Sequence, residues 1–198
     1  MRVIGLTGGI AAGKSTISQI LAELGAVVID ADKVGHEAYR RGTEAWRALV
    51  AHFGEGILTP DGEIDRRKLG AIVFADPAER RALQDIVWPR MKEMIRQRLA
   101  ELRAQGTPVA VIEAAVLIEA GWTDLVDEVW VVQVPEDVAL QRLVARNNLS
   151  EADARARIRA QLSNAERAAH ADVIIDNSGT VEEARAQVER AWTKVAAP

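Results

Sequence analysis

Apolar residues follow two alternating patterns along the chain. Short continuous runs rich in β-branched side chains stand at 2–6 (RVIGL), 26–30 (AVVID), 109–113 (VAVIE), 128–134 (EVWVVQV) and 172–176 (DVIID). Such runs predict strands buried on both faces. Between most of them the apolar positions take up a helical period. Ile17, Ile20, Leu21 and Leu24 fall at i, i+3, i+4 and i+7, and Gly25 stands where a C-terminal cap belongs. Further helical patterns cover about 78–104, 136–146, 151–168 and 181–195. Strands alternating with helices predict an α/β fold with a five-stranded parallel sheet. The stretch 35–77 breaks the alternation with the turn-rich segments RRGTEAW, FGEGILTPDGEID and FADP. It is read as an insertion that continues into the helix near 78–104.

Composition narrows the class. The chain has 198 residues, enough for one domain with its own core. At 48% hydrophobic and 27% charged it is globular rather than disordered. The net charge is −4, from 25 basic and 29 acidic residues, which speaks against a nucleic-acid or anionic-membrane binder. The absence of cysteine excludes disulfides, thiolate metal sites and a cysteine nucleophile. No apolar run approaches the roughly 20 residues that span a bilayer, and the N-terminus lacks a signal-peptide pattern. A cytoplasmic protein is expected, without nucleic-acid or membrane partners, as a monomer or weak homo-oligomer.

The candidate chemistry begins at residues 5–16, GLTGGIAAGKST. Gly8, four further residues, Gly13, Lys14 and Ser15 fit G-x-x-x-x-G-K-[ST] between a strand and a helix. Glycines let the backbone close around phosphate oxygens, and successive N–H groups form an anion nest. The helix that opens near Lys14 adds its positive dipole end. Gly9, Ala11, Ala12, Gly13, Lys14, Ser15 and Thr16 are therefore read as the loop that holds a nucleotide's phosphates. Lys14 is expected to face solvent and to reach the β- and γ-phosphates, and the Ser15 hydroxyl to ligate Mg²⁺. A guanine-reading Asn-Lys-x-Asp is missing, and DKVG (32–35) matches a GTPase switch pattern only in its short form. The length suits a small P-loop kinase.

Asp30 and Asp32 lie where the second strand ends, and ligands of parallel sheets sit beyond strand carboxyl ends. A carboxylate there is placed to accept a proton from an attacking hydroxyl. It is equally placed to cap a helix opening in DADKVGHEAY, and the residues alone leave both open. Arg142 and Arg146 share one helix face at i, i+4, and Arg155, Arg157 and Arg159 follow. They read either as a closing lid whose guanidinium groups neutralise a migrating phosphoryl, or as a solvated surface partnered by Glu151 and Asp153. The lid has few bulky apolar residues and is expected to open easily. Glu113, at the end of the third strand, is a further candidate to hold Mg²⁺ through water.

GLTGGIAAGKST, VIDADKVGHEAY, DGEIDRRKLGAIVF, LIEAGW and ADVIIDNSGT, in that order, resemble the dephospho-CoA kinases almost end to end. The resemblance implies a five-stranded parallel P-loop core (about 1–34, 105–145 and 169–198), a helical substrate subdomain (about 35–104) and a lid (about 146–168). It also implies Mg²⁺-dependent transfer of phosphate from ATP to the ribose 3′-hydroxyl of dephospho-CoA. Under it Asp32 corresponds to the proposed base, and Thr7, His36, Arg66 and Leu117 fall at acceptor positions. Arg142 and Arg146 match lid arginines, Arg146 nearest the phosphoryl, and Asn177 falls near the adenine. Ala11-Ala12, Trp88-Pro89 and Ala115-Val116 depart from the family's usual residues. Alanine at position 11 should be tolerated only if its φ is negative. The alternatives are a small P-loop kinase with another acceptor, such as a nucleoside monophosphate, and a non-catalytic nucleotide-binding regulator.

Overall fold

The computed structural model describes residues 1–195. The last three residues of the expected core lie outside the described residues. The strands are β1 (Arg2–Gly8), β2 (Val27–Asp30), β3 (Val109–Glu113), β4 (Glu128–Gln133) and β5 (Val173–Asp176). The helices up to the third strand are α1 (Lys14–Glu23), α2 (Ala31–Ala38), α3 (Glu44–Phe53), α4 (Arg66–Ala75) and α5 (Pro77–Ala104). After it come α6 (Glu136–Asn147), α7 (Glu151–Arg159), α8 (Asn164–Ala168) and α9 (Val181–Val195). The chain divides into two compact units, one of Met1–Ile29 with the chain from Glu101 onward, the other of Asp30–Ala100.

The first unit carries the parallel sheet, in the order β2-β3-β1-β4-β5. β1 lies at its centre, with Leu6 opposite Glu113 of β3 and Gly8 opposite Val132 of β4. All five strands anticipated from the apolar runs form. β1, β3 and β4 are buried almost throughout, whereas the edge strands leave Val27 and Ile174 exposed. Two-sided burial belongs to central strands because edge strands have a neighbour on one side only. Ile4, Leu6, Val111, Trp130 and Val132 meet Ile17 and Leu21 of α1 and Val188 of α9 in one core. Burying such side chains contributes about 1.5–3 kcal/mol each.

The helical pattern at 151–168 is not one helix. It stops at Arg159 and restarts as α8, because Ser163 accepts from the Glu166 N–H while its own N–H donates to the Glu166 carboxylate. A reciprocal capping box marks a helix start.

The second unit is helical. Asp65 caps α4 and Thr43 caps α3. The Trp46 indole donates to the Gly62 carbonyl at 3.0 Å, tying α3 to the turn before α4. Arg98 of α5 pairs with Glu37 of α2. α5 runs through Pro89, which has no N–H to offer the carbonyl one turn back. No helix among the described residues is long and apolar enough to cross a membrane.

Candidate active site

The loop between β1 and α1 lies at the carboxyl edge of the central strand. Two glycines in it have reasons beyond flexibility. A Cβ on Gly8 would run into the Val132 carbonyl of β4. Gly13, the N-cap of α1, has φ 86°, and a Cβ there would collide with the Asn177 amide. Ala11 corrects an expectation. Its φ is 60°, in the left-handed region, not negative. The loop's turn imposes this value on a residue with a Cβ, at a cost of roughly 1–2 kcal/mol. The Ala11 methyl is used in return, packing with Ile10 against Leu140, Leu143 and Ala154.

Lys14 also departs from expectation. It is half-buried rather than facing solvent, and its ammonium donates to the Gly8 carbonyl at 3.1 Å. The side chain is folded back over its own loop, where the backbone carbonyl accepts its charge. Ser15 is exposed in the first turn of α1. Ser15 and Glu113, which is half-buried at the end of β3, are hard oxygen donors of the type Mg²⁺ takes alongside phosphates and water.

Three elements converge beside the loop. Asn177, buried just after β5, donates from its side chain to the Ala12 carbonyl at 2.8 Å. Arg142 of α6 donates to the Asn177 carbonyl at 2.9 Å. Ala11, Gly13, Thr16, Arg142, Arg146 and Asn177 line one cavity of 290 Å³. Arg146 is exposed and turns its Nε to Asn147. Arg155 pairs with Glu151 at 2.8 Å and lies 3.8 Å from Glu136, so this arginine takes the local-partner alternative. The few apolar residues of α7 are also better used than their number implies. Ala154 is fully buried and Ile158 packs beside it, so the segment has a small cluster of its own.

Two acceptor expectations meet the core instead. Leu117 is wholly buried, its Cδ2 2.6 Å from where a Cβ on Gly5 would lie, so its side chain is packing beneath β1 and not a lining residue. Its apolar character is what places it there. Thr7 is wholly buried too, and its hydroxyl donates to the Ala115 carbonyl at 3.3 Å.

In the second unit the two aspartates separate. The Asp30 carboxylate accepts from the N–H groups of Asp32 and Lys33 and caps α2. Asp32, exposed in the first turn, is left free of that cap. His36 is half-buried and meets Tyr39 edge-on at 6.2 Å. Burial pushes the Tyr39 phenol up, Arg66 opposes that and Asp32 adds to it. Asp32 and the exposed Arg66 at the start of α4 therefore each lie within electrostatic reach of Tyr39. Sequence reasoning passed over Tyr39, although it is the chain's one tyrosine.

It also passed over Gln161 and Arg167. The Gln161 side-chain oxygen accepts from the Ile10 N–H at 2.8 Å, and Arg167 is 2% exposed. A buried arginine is rare enough to mark, but its burial is invisible in a polar stretch of sequence.

A glycine loop and helix following the central strand of a parallel sheet, with an arginine-bearing pair of helices beside it, define a P-loop kinase fold. Shikimate kinase from Bacteroides thetaiotaomicron shares that fold, with a TM-score of 0.57 at 15% identity over 99% of each chain. The family model for dephospho-CoA kinase matches residues 2–183. A dephospho-CoA kinase from Geobacter sulfurreducens is 55% identical over 98% of both chains. One from Symbiobacterium thermophilum is 50% identical over 97% of this chain and 80% of its own. The solved dephospho-CoA kinase from Campylobacter jejuni has a TM-score of 0.74 at 27% identity, covering 99% of this chain and 98% of its own. The chain belongs to the dephospho-CoA kinase family.

Proposed function

We propose that this protein transfers the γ-phosphoryl group of ATP to the ribose 3′-hydroxyl of dephospho-CoA, giving coenzyme A and ADP, the last step of coenzyme A synthesis. The observation that carries it is the family match over residues 2–183, joined to a glycine loop whose N–H groups and lysine suit a polyphosphate. The new bond joins the ribose oxygen to the γ-phosphorus, and the bond from that phosphorus to the β-bridging oxygen breaks. The hydroxyl proton passes to the Asp32 carboxylate. Asp32 suits this role because Asp30 supplies the helix cap and leaves the second carboxylate unspent.

The glycine loop, Lys14 and Thr16 hold the phosphates, and Arg142 and Asn177 border the nucleotide's cavity. Ser15, with Glu113 through water, would hold Mg²⁺, which would neutralise phosphate charge. Arg146 meets the transferring group as the lid closes. Residues 35–104 carry the acceptor, with His36 and Arg66 contacting it, Arg66 through its anionic groups. Thr7 and Leu117 contribute by backing the loop and β1 from beneath. Residues 146–168 form the lid and the remainder the core. The setting is cytoplasmic, the protein a monomer or weak homo-oligomer, and nucleic acid is not a partner.

The test offers Mg-ATP with dephospho-CoA, AMP, CMP or adenosine to purified protein and identifies products by mass. Phosphorylation of dephospho-CoA alone is expected. Phosphorylation of another acceptor in preference would overturn the assignment.

A further inference from the structure

The segment that follows α7 reaches back to the glycine loop through two side chains. Gln161 gives its amide oxygen to the Ile10 N–H at 2.8 Å. Arg167, on α8, turns Nη1 toward the same stretch. A Cβ built on Gly9 would lie 3.5 Å from that nitrogen and 4.0 Å from the Gln161 oxygen. Both side chains, with Gly9, Ile10 and Ser163, border a cavity of 270 Å³. The segment is held from its far side as well, since Asn164 donates to the Val134 carbonyl at 2.8 Å just beyond β4.

Arg167 is incompletely satisfied for a buried cation. Nη1 donates to the Leu162 carbonyl, and Nη2 is 3.7 Å from the Glu119 carboxylate, beyond the 2.7–2.9 Å of a charge-assisted bond. Its Nε is buried and has no hydrogen-bond partner among the described residues. Burying a guanidinium on such terms costs free energy, so packing alone gives no reason for an arginine here. A neighbouring polyphosphate supplies the missing negative charge. The Ile10 N–H is meanwhile taken by a neutral oxygen, so the loop's conformation is held while no charge opposes an incoming phosphate.

We propose that Gln161 and Arg167 are positioning residues for phosphoryl transfer: they latch the segment between α7 and α8 onto Gly9 and Ile10, and so hold the glycine loop and the lid in register. The proposal rests on the reading that this loop holds the phosphates of ATP. The latch acts through the loop rather than by touching the reacting atoms, so its loss lowers kcat more than it raises the KM for ATP.

Three variants test this by steady-state kinetics, ATP titration and thermal melting of the purified full chain. Gln161→Ala removes the acceptor and should lower kcat about tenfold, the worth of one well-placed hydrogen bond, with the KM for ATP within about threefold of the parent. Gln161→Glu keeps the acceptor but sets a carboxylate beside the phosphate nest. ATP affinity should fall on the order of tenfold at low salt and recover as salt screens the repulsion. Arg167→Lys keeps charge but not the forked geometry, and should lower kcat with little change in melting temperature. A Gln161→Glu protein that binds ATP like the parent at every salt concentration would overturn the proposal. So would parental kcat in both Gln161→Ala and Arg167→Lys, or losses that follow melting temperature alone. Lys14→Ala, run beside them, separates the two readings. If it retains nucleotide binding and turnover, the phosphate-loop reading itself has failed; if it is inactive while the latch variants match the parent, only the latch has.

Discussion

The Asn177 side chain donates to the Ala12 carbonyl at 2.8 Å, joining the residue after the last strand to the middle of the glycine loop. The same residue's carbonyl accepts from Arg142, and its amide stands where a Cβ on Gly13 would be. One buried amide thereby sets the spacing of the loop, α1 and α6.

Replacing Asn177 by Leu should therefore be felt twice. The Ala12 carbonyl loses its donor, which costs about 1–3 kcal/mol for a buried group. The loop loses its brace, so ATP affinity should fall as well. Urea unfolding and ATP titration measure the two separately. Parental ATP affinity in this variant would show that Asn177 supports the fold and not the nucleotide site.

Asp30 and Asp32 predict a crossed result. Asp30→Ala removes the cap of α2 and should cost about 1 kcal/mol of stability. Asp32→Asn should leave stability alone but lower kcat by about 10²–10⁴, the usual worth of a general base, with ATP affinity retained. Unfolding curves and single-turnover rates read the two effects. An active Asp32→Asn enzyme would remove Asp32 from the proton transfer.

Lys14→Ala should abolish turnover without unfolding the protein. The lysine's contact with the Gly8 carbonyl is a local hydrogen bond, while under the proposed function its charge meets the migrating phosphoryl. Circular dichroism checks the fold and product formation checks the chemistry. Near-parental turnover would defeat the role.

Ala11→Gly sets opposing effects against each other. Relief of the left-handed strain gains roughly 1–2 kcal/mol, the added backbone entropy of glycine costs about 0.5–1, and the lost methyl about 0.8. Stability should stay within about 1 kcal/mol of the parent, while amides in 140–158 exchange faster because a contact to Leu140, Leu143 and Ala154 is gone. Unchanged exchange there would mean the methyl does not couple loop and lid.

The proposed lid can be followed by hydrogen exchange. Its buried cluster is small, so amides in 146–161 should exchange fast without ligand and slow with a bisubstrate mimic of ATP and dephospho-CoA. Arg146→Ala should lose much of the rate with dephospho-CoA binding less affected. Equal protection in both states would make the segment a fixed surface.

Local signals were enough for much of this molecule. The five strands are continuous apolar runs, α1 is an apolar stripe ended by glycine, and the phosphate loop is a fixed spacing of glycines, lysine and serine. Each is a property of neighbours in the chain, so the sequence by itself determined the α/β class, the nucleotide loop and the family resemblance. What it left open depended on partners far away. Which aspartate caps α2 is decided by the backbone's path after β2. Leu117 becomes core because it packs beneath Gly5, 112 residues earlier in the numbering. Ala11 takes a left-handed φ because the loop must close between Gly8 and Gly13. Gln161 and Arg167 gain their roles by reaching Gly9 and Ile10 from the far end of the chain, and burial and contact at such separations exist only once the chain has folded.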